Sequence, residues 1–241
     1  MSDIQQELSN HGMETFILEQ GASIVGVADT AYIKNYTSEY NDIISIYPRA
    51  LSIGVRLSDQ IMDKVINGPI KEYEVHYTEV NKQLDNISEK VATFLTSHGY
   101  KALRIPASFI EDYHSLQGRF PHKAIAVLSG LGWIGRSDLL ITKDFGPRIR
   151  FATVFTNAPI EAGQPTRTSE CGECQVCVKA CPANAIKGTK WSLGIKRKEL
   201  YDAKACYKHL LHYKKQLGDL ICGICVGVCP YGSVKIIRMI E

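Results

Sequence analysis

A chain of 241 residues with 45% hydrophobic and 22% charged residues can bury an ordinary core without disulfide staples, which excludes disordered, fibrous and disulfide-scaffold classes. The formal net charge of +3 argues neither for nor against a nucleic-acid partner. The opening MSDIQQELSN is polar with no twin arginine, and no apolar stretch of about 18 residues follows, so neither a secretory leader nor a membrane span is expected and a cytoplasmic protein is.

The first 160 residues read as mixed α/β. A helix is expected over Ile4–Glu19, then strands over Ala22–Val27 and, after Pro48, over Ala50–Val55. From Glu72 to His98 the residues Tyr77, Val80, Leu84, Ile87, Val91 and Leu95 recur at spacings of three and four, which gives a long helix one apolar face. His76 and Tyr77 near its start read as packing or surface positions. Gly99 stops the helix, and Lys101–Ile105 reads as the next strand. A short helix over His122–Leu128 and strands over Leu139–Thr142 and Arg148–Thr156 complete this part; Arg148 and Arg150 read as surface or ion-pair positions. The loop Asn157–Glu170, rich in Pro, Thr and Gly, separates a domain of residues 1–160 from one of residues 161–241.

All eight cysteines lie in the second part. Cys171, Cys174, Cys177 and Cys181, followed by Pro182, reproduce the C-x2-C-x2-C-x3-C-P run of bacterial two-cluster ferredoxins. Cys222, Cys225 and Cys229, followed by Pro230, form a shorter version, and Cys206 stands alone between them. Closely spaced thiolates on a tight loop reach different irons of one cube, whereas the last cysteine of such a run ligates the other cube. On that rule Cys171, Cys174, Cys177 and Cys229 hold the first [4Fe–4S] cluster. Cys181, Cys222 and Cys225 hold the second, which Cys206 completes. Structural zinc prefers four-ligand knuckles, and disulfides are not expected in a cytosolic chain. Eight thiolates around two cores of charge +2 bring the total to about −1. Between Lys187 and Leu220 nine Lys/Arg face three acids. This basic surface is either a solvated face offsetting the clusters or a docking face for an acidic electron donor or an RNA backbone.

Gly130-Leu-Gly132-Trp133-Ile-Gly135 matches G-x-G-x-x-G. Dinucleotide binding would need a strand before it, a helix after it and an acid about 20 residues on. KAIAVLS is as compatible with helix as with strand, DLLIT reads as a strand, and VFTNA holds no acid. A glycine turn set by chain geometry, or a loop lining another cofactor, fits better. His122 and Lys123 are candidates for a phosphate or corrinoid contact, against water-facing positions at a helix start. Asp112, Tyr113 and His114 form a polar group able to donate protons.

The stretch from Phe120 through the glycine loop to Lys143, then Phe145–Arg150, then the two cysteine runs, resembles the epoxyqueuosine reductase family, most closely its short double-cluster members; reductive dehalogenases are more distant relatives. The resemblance implies a nitroreductase-like α/β domain followed by a ferredoxin-like two-cluster domain, with cobalamin between them receiving electrons from a low-potential ferredoxin or flavodoxin. Gly130, Gly132, Trp133, Gly135 and Arg136 match the loop near the corrinoid. That family carries an Asp in a V-D-[ST]-A-P segment about fourteen residues before the loop. Here His114–Arg119 occupies the place, with Leu116 near the Asp position, and the chain ends soon after Pro230 without the helical repeat region some members use for tRNA. A small-molecule or tRNA substrate, a non-catalytic electron-transfer role towards a partner such as a corrinoid protein, and, with less weight, a flavin-linked reductase are the functional readings.

Overall fold

Alternation along the strands decides which side chains face which layer. The computed structural model describes residues 9–35, 41–107, 121–218 and 220–232. Strands β1 (Ile24–Asp29), β2 (Arg49–Arg56) and β3 (Ala102–Ile105) precede a hairpin of β4 (Gly132–Ile134) and β5 (Leu140–Thr142), and β6 (Ile149–Thr156) follows. The main sheet runs β1-β2-β6-β3 with every neighbouring pair antiparallel. Register places Leu51 opposite Val154 and Ile53 opposite Ala152. These four residues share one face and pack against Met13 and Ile17 of helix α1 (Asn10–Glu19). Alternate residues Ala50 and Phe155 face the other side, where Ile125 and Leu128 cover them.

The helices are as short or as long as their apolar faces permit. After α2 (Asn41–Ile46) and α3 (Asp59–Lys64) comes α4 (Lys71–Ser97), whose Tyr73, Val80, Leu84, Ile87, Val91 and Leu95 are buried. Each such side chain contributes roughly 1.5–3 kcal/mol on burial. Glu72 and Glu74 suit the positive end of its dipole, and Gly99 (φ +84°) ends it as expected. Helix α5 (His122–Leu128) has the expected bounds. Then come α6 (Val176–Ala180), α7 (Arg197–Leu200), α8 (Ala203–Leu217) and α9 (Ile224–Gly227). The mixed α/β class stands. The helix expected from Ile4 is described from Asn10, where Ser9 Oγ accepts from Gly12 N at 3.1 Å; residues 1–8 lie outside the described residues. Neither α2 nor α3 was expected, because six residues carry too little periodicity to register.

Apolar clusters run across the boundary expected at residue 160. Leu217, Ile221 and Val226 join the core formed by Leu84 and Ala152, and Trp191 and Leu200 join Trp133 and Ile141. Polar clamps reinforce this. Arg148 is only 1% exposed, so of the two readings for it the ion pair holds and the surface position does not. Its guanidinium reaches Asp59 Oδ1 at 3.1 Å and Asp63 Oδ1 at 2.9 Å, and donates to Gly227 O of α9 at 3.0 Å. Arg150 lies over the Tyr77 ring at 4.1 Å and donates to Asn81 Oδ1. No helix among the described residues is long and apolar enough to cross a membrane.

Replacing Arg148 with Met removes the cation facing Asp63, leaves Asp59 with Arg56 alone, and leaves Gly227 O without its donor. A loss of about 2–4 kcal/mol follows. Urea unfolding of the two proteins at one pH measures it.

Candidate metal centre

The second cysteine run is pinned to α3 and to the turn between β5 and β6. A Cβ on Gly227 would stand 2.7 Å from Met62 O, and one on Gly146 would stand 1.9 Å from Tyr231 O, so the backbones there are in direct contact. The first run has less support of its own: α6 buries no residue. Its position is set by Arg136, just after the glycine motif, which is 4% exposed and donates to Gly188 O and, at 2.8 Å, to Gly172 O. One carbonyl lies inside the first run, between Cys171 and Cys174, and the other lies seven residues beyond its end.

The thiols sort into two groups. Cys171, Cys174, Cys177 and Cys229 line one cavity together with Gly135, Arg136, Ser137, Ile141, Pro230 and Tyr231. Burial, then the neighbouring thiols of Cys171 and Cys174, push the Cys177 thiol up to about 11. Burial pushes Cys229 up to about 12, with Cys171, Cys177 and Cys174 adding to it. The other four interact with one another: Cys206 is raised by burial and by Cys181, and Cys222 by burial, Cys206 and Cys181. Burial likewise raises Cys225, which feels Cys222, Cys206 and Cys181 and also Cys177 of the first group. The two groups are therefore neighbours. All eight cysteines are free and half-buried.

This setting suits metal clusters. Eight thiols crowd together, and burial raises the pKa of five of them, Cys177, Cys206, Cys222, Cys225 and Cys229, so their ionisation calls for strong positive charge, which iron supplies. Ala185 N donates to Cys181 Sγ at 3.4 Å. Beside the first cavity, the buried Nε1 of Trp133 and Nε of Arg136 have no hydrogen-bond partner among the described residues. Leftover buried N–H donors next to four thiols fit an anionic guest.

The glycine motif backs this cavity instead of opening towards a dinucleotide. Helix α5 precedes it and a hairpin follows, the reverse of the strand-then-helix setting that a pyrophosphate needs. A Cβ on Gly132 would lie 2.0 Å from Ile141 O, one on Gly130 (φ +78°) 2.6 Å from Gln164 O, and one on Gly135 3.5 Å from Cys171 Sγ. Trp133 is 1% exposed and meets the Tyr231 ring edge-on at 5.0 Å. Lys123 Nζ contacts Asp138 Oδ2 at 2.7 Å and donates to Asp138 O at 2.8 Å; burial lowers its pKa and Asp138 raises it. Arg197 Nε of α7 approaches the same Oδ2 at 3.5 Å. Asp138 thus ties the loop to the cluster segment, a role the sequence reading missed. Its signal was an Asp just after a glycine turn, a residue that tolerates its φ of +61°.

His122 stands apart from the thiols and is not the water-facing residue that was the alternative. Burial lowers its pKa to about 4, so the ring is neutral, with Nε2 donating to Pro106 O at 2.9 Å and Nδ1 accepting from Thr153 Oγ1 at 2.8 Å. His76 Nε2 accepts from Ser58 N at 2.9 Å. Asp112, Tyr113 and His114 lie outside the described residues.

Residues 170–232 match the family model of a 4Fe-4S double cluster binding domain. The epoxyqueuosine reductase of Listeria monocytogenes is 34% identical over 121 residues, covering 47% of this chain and 30% of that protein. The chain is similar in sequence to epoxyqueuosine reductases and to tetrachloroethene reductive dehalogenases. It spans about a third or less of the curated relative's length. Among solved structures, one titled as a reductive dehalogenase suggesting a mechanism for B12-dependent dehalogenation superposes with TM-score 0.71 at 18% identity, covering 95% of this chain and 32% of that one. An epoxyqueuosine reductase solved with a tRNA-Tyr epoxyqueuosine-modified stem loop superposes with TM-score 0.64 at 16% identity, covering 97% and 67%. Likeness at that identity establishes the fold.

The sign of one pH effect follows from His122. A histidine whose folded pKa is depressed to about 4 takes up a proton first in the unfolded chain. Stability is therefore full above pH 6.5 and falls as pH drops from there towards 4. His122→Gln removes the titrating ring, so the difference between wild type and variant in chemical denaturation changes between pH 7 and pH 4.5. An unchanged difference contradicts the buried neutral ring.

Proposed function

We propose that the chain is an iron–sulfur reductase that takes electrons from an external low-potential donor and delivers them through two [4Fe–4S] clusters. One cluster is assigned to Cys171, Cys174, Cys177 and Cys229, the other to Cys181, Cys206, Cys222 and Cys225. The observation that carries the reading is the cavity in which three cysteines of the first run meet Cys229 of the second. When bound, such clusters supply one-electron redox chemistry at potentials set by hydrogen bonds to sulfur and by solvent access. The protein's contribution lies in its own residues. The amide of Ala185 stabilises charge on Cys181. Ile141, Tyr231 and the Trp133 ring keep water from the first cavity. The buried cations Arg136 and Arg148 hold the two runs at a fixed spacing.

The finer part of the proposal is a cobalamin as electron acceptor, reducing a small-molecule or tRNA-borne substrate. It rests on likeness to a reductive dehalogenase described in terms of B12-dependent dehalogenation and to an epoxyqueuosine reductase solved with a tRNA stem loop. The side chains that the sequence assigned to the corrinoid do not fit that role. Trp133 faces Tyr231, Arg136 holds backbone carbonyls, Lys123 holds Asp138, and His122 is used between Thr153 and Pro106. No side chain of this loop is assigned to a corrinoid, and no reaction step is routed through one. The same observation favours a second reading, in which the chain is an electron-transfer protein that reduces a partner.

Two measurements on anaerobically purified protein separate these. Cys206→Ala is expected to lose or convert one cluster and keep the other, so that iron falls by between a quarter of one cube and a whole cube. An unchanged iron content contradicts the ligand assignment. Titration with cob(II)alamin is expected to shift the corrinoid spectrum with a saturable dependence on protein. No shift removes the cobalamin and leaves the electron-transfer reading.

A further inference from the structure

Helix α8 has two faces of opposite chemistry. Cys206, Leu210, Tyr213 and Leu217 recur at spacings of four, three and four and turn inward; Leu217 is buried and Tyr213 packs on the main core. On the outer side Lys204, Lys208, Leu211 and Lys215 repeat with the same spacing, and all four are exposed, Leu211 at 43%. The helix carries four lysines and no acid, and none of them forms an ion pair among the described residues.

Folding does not favour this arrangement. Lys204 and Lys208 are like charges at i and i+4, each pair of which costs a few tenths of a kcal/mol. Lys204 also sits in the first turn, at the positive end of the helix dipole. Only Lys214 and Lys215, in the last turn, are well placed for the dipole. Two further lysines adjoin the helix start, where the exposed acids Glu199 and Asp202 also stand. The segment at Ile186–Lys187 pairs with Leu200–Tyr201, through Lys187 N donating to Leu200 O at 2.9 Å, and this sets Lys187 beside Lys198; both are exposed.

We propose that the outer face of α8 is the docking surface for a small acidic one-electron carrier protein, and that electrons enter through the cluster assigned to Cys206. The inference deepens the redox reading above and rests on it. Charge complementarity is the argument. A stripe of lysines interrupted by one exposed leucine is matched by an acidic surface with a small apolar centre, the kind of contact that supports fast, transient, salt-sensitive encounters. Cys206 lies on the opposite side of the same helix, so the carrier docks within about one helix diameter, ~10–12 Å, of the ligand. Each encounter moves one electron: the carrier is oxidised by one, the protein is reduced by one, and no bond forms or breaks. An RNA backbone would also be drawn to lysines, but RNA recognition gains nothing from an exposed Leu211 or from the cysteine behind the stripe.

The test uses the anaerobic holoprotein, a reduced acidic two-cluster ferredoxin as donor, and stopped-flow reduction at low and high salt. Lys204→Glu/Lys208→Glu/Lys215→Glu is expected to slow the second-order reduction at least tenfold at low salt and to flatten its salt dependence. Dithionite, which needs no docking, is expected to bleach wild type and variant to the same extent. A variant reduced by ferredoxin within twofold of the wild-type rate overturns the proposal. So does a variant that loses only binding of a tRNA stem loop in a gel-shift assay, which would make the face an RNA site. If dithionite fails to bleach the wild type, the redox reading itself falls, and this inference with it.

Discussion

Two arginines from the first part of the chain hold the geometry on which everything else depends. Arg136 bonds the carbonyls of Gly172, inside the first cysteine run, and of Gly188, just beyond it, and Arg148 bonds Gly227 inside the second. Neither run could keep its shape alone. Helix α6 buries nothing, and α9 is four residues long. A cluster site needs thiols from both runs at fixed separation, and only the rigid sheet and its hairpin provide a reference frame for both. Burial makes these clamps strong: both guanidinium groups are almost wholly withdrawn from water, where hydrogen bonds to charged groups count for most.

The same burial sets the electrostatic problem that the site must solve. Thiols crowded in a low-dielectric pocket resist ionisation, and Cys225 interacts with members of both groups, so charge at one group is felt at the other. Positive metal centres relieve that cost, and so do the N–H donors around the sulfurs. Asp138 extends the arrangement outward. Its carboxylate accepts Lys123 from α5 and Arg197 from α7, so one buried anion joins the glycine hairpin to the cluster segment.

Much of this was legible in the sequence because its signals are short-range. The apolar period of α4, the turn at Gly99 and the cysteine spacing each depend on a few neighbouring residues, and α4 and α5 lie where periodicity placed them. The meaning of Gly130, Gly132 and Gly135 was legible only as two alternatives, a turn set by chain geometry or a loop lining a cofactor. Close approach of Ile141 O across the hairpin to Gly132, and of Gln164 O to Gly130, supports the first for those two. A glycine required by close approach of a distant strand looks, in sequence, the same as one required by a phosphate. The partners of Lys123 and His122 escaped the sequence for a related reason, since a polar residue at a helix start is usually solvated, and for Arg148 the ion pair stood as one of two readings. Nothing local reveals that Asp63, Asp138 or Thr153 will receive them.

The central claim is that all eight sulfurs are spent on two iron–sulfur cubes, the first completed by Cys229 of the second run and the second by Cys181 of the first run together with the isolated Cys206. Mössbauer spectroscopy of anaerobically prepared protein enriched in iron-57, with iron and sulfide assayed on the same sample, tests it most directly. The account predicts about eight irons and eight sulfides per chain, all as cubes with complete thiolate coordination. A spectrum of isolated tetrahedral iron, or of one cube only with free thiols left to titrate, would contradict it.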